Sequence, residues 1–177
     1  MAKWKRYVVG SNDAGKSAVL MEEATNVQEN PGIFYRATLW GTQETPVDNT
    51  IDSDRALLVK TREPFPGGMV FRALEIPPDT GDRAGHVEAL KRLNVQVAQK
   101  HQPSAEDFAR HPSMHRTDTL DCIVCVTGEI HLVTDVDDVI MRPGDTVVIR
   151  GTNHAWSNLS DKPALLVGCM VDAVPLP

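Results

Sequence analysis

The second half of the chain leaves little freedom in how it can fold. From Met114 onward, short β-branched and apolar runs alternate with turn residues. "TLDCIVCV" ends at Thr127-Gly128, "EIHLV" meets the acidic "TDVDD", "VIM" meets "RPGD", "TVVI" meets "RGTNH", and "ALLVGCMVDA" follows. Many short strands at near-even spacing, punctuated by Gly, Pro and Asp, read as a sandwich or barrel. A parallel nucleotide-binding sheet would need helices between its strands, and this alternation is missing.

The N-terminal part reads in the same way. "KRYVV" and "KSAVLM" flank "GSNDAG", "GIFYRATLWG" follows, and "ALLVK" comes after a polar loop. A strand from Met69 to Ile76 lies between Pro-rich borders. One segment departs from the pattern: over about 83–100, Val87, Leu90, Leu93 and Val97 recur at helical spacing, with Pro103 beyond. This inserted helix is expected to cover an open end or flank of the barrel, with His86 and His101 facing solvent.

Composition sets the outer limits. At 177 residues, 41% hydrophobic and 24% charged, the chain has the makings of one globular domain, 1–177. The expected organisation is an N-terminal β extension over 1–66 and a barrel over 67–174. A net charge of −6 argues against nucleic acid or anionic membrane as the main partner. "MAKWKRYVVG" has no apolar run of signal-peptide length, so a cytoplasmic protein is the default. Cys122 and Cys125 form a C-x-x-C, but on a strand residues three apart point to opposite faces, about 10 Å apart. Buried structural thiols are expected instead of a disulfide or zinc site.

"GSNDAGKS", Gly10 to Ser17, fits the P-loop pattern at every fixed position. A phosphate-binding loop must join a buried strand to a long helix, and "AVLMEEATNVQENPG" is too short and strand-like for one. No nucleotide is expected. The stretch reads as a turn between strands, begun by Asn12-Asp13 and permitted by Gly15.

Two motifs carry the chemistry. "HRTDTLDCIVCVTG" places His115, Thr117, Asp121 and Gly128 in one register, and "PGDTVVIRGTNHAWSN" places Gly144, Asp145, Gly151, His154 and Asn158 in another. Together they resemble the paired signature of the cupin superfamily over about 69–173. The resemblance implies an all-β, jelly-roll β-barrel with an N-terminal strand extension and one inserted helix. It also implies a metal site built from histidines and a carboxylate. This chain has Thr117 and Asp121 where the family carries a second histidine and a glutamate, and Ile149 where it carries a proline.

The surviving candidate ligands are therefore His115, Asp121 and His154. Two imidazoles and a carboxylate suit a divalent ion such as Fe, Zn, Mn or Ni. Asp121, one methylene shorter than glutamate, either reaches the ion or orients His115. Without a metal, the same residues form a polar cluster with a histidine as general base. Thr117 is a candidate to hold water or substrate. Trp156, Arg150 and Asn158 are candidate substrate contacts, Trp156 equally a core residue and Arg150 equally a surface one. The resulting expectation is a cupin-type enzyme acting on a small organic molecule in the barrel pocket, dependent on a divalent metal and of the dioxygenase, isomerase or lyase class, the rival being a metal-free cupin that serves as a binding or sensor module. The strand over 119–127 is apolar on both faces, so its outer face calls for cover from the N-terminal strands or from a second subunit in a homodimer.

Overall fold

The computed structural model describes residues 5–24 and 26–177. The chain runs β1 (Tyr7–Ser11), β2 (Ser17–Glu22), β3 (Asn26–Asn30) and β4 (Phe34–Gly41). A 3₁₀ turn (Arg55–Leu58), β5 (Met69–Ile76), α1 (Arg83–Gln96) and α2 (Ala105–Arg110) come next. The second half holds β6 (Thr119–Thr127), β7 (Ile130–Val133), β8 (Asp138–Met141), β9 (Thr146–Arg150), β10 (Ala155–Ser157) and β11 (Ala164–Asp172). The fold is all-β, a jelly roll with short helical segments.

A six-stranded sheet, ordered β3-β4-β5-β11-β6-β9, faces a three-stranded sheet, β10-β7-β8. The core lies between them. Ile76, Cys125, Ile130, Leu132, Met141, Ile149, Trp156, Ala164 and Leu166 form one buried cluster contributed by both sheets. Burial of these side chains, each worth roughly 1.5–3 kcal/mol for the larger ones, holds the sandwich closed. Gly128 ends β6 at φ +77°, and a Cβ there would sit 2.7 Å from the Pro163 carbonyl oxygen. Only glycine satisfies both demands.

The strand over Met69–Ile76 lies where the sequence places it, because Val70, Arg72, Leu74 and Ile76 alternate with residues of the opposite face. "ALLVK" does not form a strand. Asp54 accepts a hydrogen bond from the Ala56 amide and starts a 3₁₀ turn, and a bidentate pair with Arg6 (2.9 and 2.6 Å) fixes that aspartate. The inserted helix ends at Gln96, four residues early, with Ala98 in the left-handed region at φ 49°. A second short helix, α2, follows, built on a capping box between Ser104 and Asp107. Its six residues are too few to show a periodicity in sequence.

Leu90 and Leu93 of α1 and Val97 at its C-terminal cap pack with Phe34, and Ile33 and Leu74 lie against them. The helix thus closes one mouth of the barrel. His86 is not turned to solvent as expected but lies half-buried on the inner side of α1 with no hydrogen-bond partner at Nε2, whereas His101 keeps a side chain 35% exposed, its Nε2 2.7 Å from Asp118 Oδ1.

"GSNDAGKS" is the tip of a two-stranded hairpin, β1–β2. Asn12 Oδ1 accepts from the amides of Ala14 and Lys16, each at 3.0 Å, and Gly15 takes φ +70°. The turn predicted from Asn12 and Gly15 is the turn observed, with a strand on both sides and no helix to aim amides at a phosphate. The cysteines are free, and Cys125 is buried as expected, whereas Cys122 is exposed. Cys122 shares the outer face of the large sheet with Leu120, Val126, Val148 and Val171, all exposed. No helix among the described residues is long and apolar enough to cross a membrane.

Candidate active site

An antiparallel backbone bridge joins the segment before β6 to the one before β10. The His115 amide donates to the His154 carbonyl, and the His154 amide donates to that of His115, each at 2.9 Å. This pairing sets the two imidazoles side by side, with ring centroids 4.4 Å apart and planes inclined by 50°.

Each ring is oriented from behind. His115 Nδ1 lies 2.8 Å from the Ser113 carbonyl oxygen, and His154 Nδ1 lies 3.0 Å from that of Thr152. A carbonyl only accepts, so Nδ1 carries the proton in both rings and each Nε2 keeps a bare lone pair. Burial holds His154 neutral, with its pKa lowered to about 4. His115 is pushed well below the usual imidazole range by burial, then by the neighbouring His154 and Arg62. Trp156 meets His154 edge-on, with ring centroids 6.1 Å apart.

Asp121 projects inward from β6 and is buried. Thr119 Oγ1 donates to its Oδ1 at 2.6 Å, which leaves Thr117 Oγ1 as the donor to Thr119 at 2.7 Å. Burial outweighs this hydrogen bond and raises the Asp121 pKa to about 6. The carboxyl is thus poised near neutrality.

These groups line one cavity of about 150 Å³, capped by His86, Leu90, Leu93 and Asn94 of α1. Phe34, Leu74, Ile123, Trp156 and Leu166 supply apolar wall. The sequence motif thus brings His115, His154, Asp121 and Trp156 to one space.

The remaining candidates lie elsewhere. Thr117 is buried below the wall, engaged with Thr119 and outside the cavity lining. Arg150 is exposed, because strand alternation turns the buried Ile149 inward and Arg150 out. Asn158 is fully buried in the turn before β11. Its Nδ2 donates to the carbonyls of Ile76 and Lys162, each at 2.9 Å, and its Oδ1 accepts from Ser160. It shapes the fold and touches no cavity.

The metal expectation meets a geometric limit. Among the described residues no group of three or more His, Cys, Asp or Glu is placed to hold a metal ion. His115 and His154 have the tautomer and bare Nε2 that a ligand needs. Asp121 remains with Thr119 and does not close the set. Two imidazoles fall short of the three-donor sites that catalytic zinc and non-haem iron use.

Sequence reasoning missed three arginines that line the same cavity, Arg36 on β4, Arg62 in the loop before β5 and Arg72 on β5. A signal did exist. Arg36 and Arg72 occupy inward positions of their alternating strands, in register with Phe34 and Leu74.

Residues 99–170 match the family model described as Cupin domain. Phomopsin biosynthesis cluster protein D of Diaporthe leptostromiformis is 50% identical over 122 residues, which cover 68% of this chain and 51% of that protein. The cupin-domain-containing oxidoreductase srdD of Neurospora crassa is 28% identical over 170 residues, covering 90% of this chain and 69% of that protein. Among solved structures, the Cnp3 cupin domain of Schizosaccharomyces pombe superposes with a TM-score of 0.48 at 10% identity, over 97% of this chain and 89% of that one. The chain spans about half the length of the Diaporthe proteins it matches, 51% in each case.

Proposed function

Because this chain belongs to the cupin superfamily, with its cupin domain at residues 99–170, we propose that it is an enzyme acting on a small organic molecule in the barrel cavity, with His115 and His154 as its reacting groups. The observation that carries this reading is the pair of bare Nε2 atoms, both oriented by carbonyls behind the rings. Relatives named for a biosynthesis cluster and as an oxidoreductase support chemistry on small molecules in this fold.

The chemistry these groups suit is proton transfer. One imidazole Nε2 takes a proton from a substrate carbon beside a carbonyl, and the C–H electron pair moves onto the carbonyl oxygen. Return of the proton to that carbon, with the electron pair moving back from the oxygen, regenerates the neutral ring. A ring of depressed pKa is a weak base while the cavity is empty. Its depression comes from burial and from positive neighbours, so an anion formed beside it favours the imidazolium. Asp121, near neutrality, exchanges protons with the substrate's other end. Among the described residues, His115 and His154 are the ready protein donors to a divalent ion, and the steps above run on the chain's own groups.

Proton NMR in D₂O tests the reading, using a panel of small 2-oxo and 3-oxo acids and their esters. The expected result is C–H exchange above the uncatalysed rate for at least one compound, at least hundredfold slower in His154→Gln and His115→Gln. Exchange that survives in both variants, or none anywhere on the panel, contradicts it. A compound bound tightly and left unchanged favours a binding module instead. A stoichiometric metal in the isolated protein, lost in Asp121→Asn, would contradict the metal-independent route by showing that Asp121 leaves Thr119 to complete a donor set.

A further inference from the structure

The cavity lining carries three guanidinium groups, those of Arg36, Arg62 and Arg72, and among the described residues no ion pair for any of them. Arg36 Nη2 donates to Gln28 Oε1, and its guanidinium lies 5.3 Å from the Phe34 ring centre. Arg62 Nη2 donates to Asn94 Oδ1 at 2.9 Å. Arg72 donates to the carbonyls of Thr61 (2.8 Å) and Arg62, and to Met170 Sδ at 3.4 Å. Every one of these partners is neutral. The Nε atoms of all three are buried and have no hydrogen-bond partner.

Such an arrangement is costly by itself. Arg36 and Arg72 are each only 8% exposed, and a buried charge that no ion pair neutralises is destabilising. The three also repel one another, since Arg36 acts on both Arg62 and Arg72. Two carboxylates offset this in part, Glu63 acting on Arg62 and Asp121 on Arg72, but neither forms an ion pair with its arginine: Glu63 is held by Lys100 at 2.6 Å, and Asp121 Oδ1 by Thr119. Positive charge is thus concentrated in a cavity that otherwise presents two neutral imidazoles, Asp121 and a largely apolar wall. That pattern recognises an anion attached to an apolar body.

We propose that Arg36, Arg62 and Arg72 form a carboxylate-binding site, and that the ligand of this cavity is a small carboxylic acid with an apolar body about the size of one ring. A dry apolar cavity of about 150 Å³ is enough for benzene in an engineered protein, and the cavity here is also about 150 Å³. The carboxylate takes guanidinium N–H donors at the ends of these side chains; the sealed Nε atoms are not among them. The apolar body lies against Phe34, Leu74, Ile123 and Trp156, which turns its reactive carbon toward His115 and His154. This names the substrate class for the function proposed above and rests on that reading for the orientation alone. Anion binding itself needs no turnover.

Isothermal titration of the 177-residue chain with benzoate and phenylacetate, against benzamide and phenylacetamide, tests the site. The expected result is that an acid binds at least tenfold more tightly than its amide, and that the preference falls to about twofold or less in Arg36→Met and in Arg62→Met. Arg72 also ties down the loop over 61–62, so the first two variants, with melting curves to confirm folding, carry the test. Acid and amide bound equally by the wild type, preference unchanged in both folded variants, or neither acid bound at millimolar concentration overturns the proposal. The two readings fail separately. Exchange without a carboxylate preference removes this site and leaves the enzyme, whereas preference without exchange does the reverse.

Discussion

The two walls of the cavity are built from different kinds of sequence. The histidine wall comes from two stretches held together by one backbone bridge, and its members hydrogen-bond to one another or to the chain beside them. The arginine wall comes from positions 36, 62 and 72, spread over two strands and a loop, with neutral partners and unsatisfied Nε atoms. The imidazoles are each fixed through Nδ1 by a backbone carbonyl, with Nε2 bare, whereas the guanidinium groups are held by neutral partners and lack an ion pair. On the reading proposed above, the first set reacts and the second waits for an anion.

That contrast can be sharpened by separating rate from affinity. In the exchange reaction, Asp121→Asn is expected to lower the maximal rate roughly hundredfold, the scale of a lost acid–base group. Arg36→Met is expected to act instead on the half-saturation concentration. Measuring rate against concentration for both variants checks the division. A loss confined to half-saturation in Asp121→Asn would break it.

Acid stability gives the next largest effect. His154, at about 4, and His115, also far below 6.5, bind fewer protons in the fold than in the unfolded chain, so their share of stability is lost as pH falls through the range below 6.5. Asp121 has the opposite sign: raised to about 6 from 3.8, it binds more protons in the fold, and its share grows as pH falls through about 6. Melting curves at pH 7 and pH 5 should therefore show a smaller acid loss in His154→Gln than in the wild type, and a larger one in Asp121→Asn. The reverse order would contradict both assignments.

The smallest effect separates motif from site. Asn158→Ala leaves the carbonyls of Ile76 and Lys162 without their donor and should cost about 1–3 kcal/mol of stability, read as a lowered Tm, with carboxylate binding unchanged. Altered binding in a folded variant would place Asn158 with the substrate after all.

Most of the histidine wall was legible because strand period and motif spacing act over short distances. His115, Asp121 and His154 sit at fixed offsets from the turns at Gly128 and Gly151, and parity on β6 points Asp121 inward. Parity was also what excluded Arg150 from the cavity, once Ile149 was seen to be buried. The arginine wall had no such spacing. A single inward Arg on an alternating strand resembles a register slip until the partner strands are known, and Arg62 lies on a loop with no period at all. "GSNDAGKS" shows the converse: its pattern is complete, but its chemistry depends on a helix that the following residues, Ser17–Glu22, replace with a strand. Where β3 and β4 go was likewise closed to local reasoning, since their place beside β5 depends on pairing across long stretches of chain.

The account stands on two neutral imidazoles presenting bare Nε2 atoms to one cavity, and ¹⁵N NMR titration of the intact chain observes this directly. Resonances of His115 and His154, assigned through His→Gln variants, should report Nδ1-protonated, Nε2-bare rings from pH 8 down to about 5, with His154 titrating near 4. Nε2-protonated rings, or an ordinary titration near 6.5 in both, would contradict it.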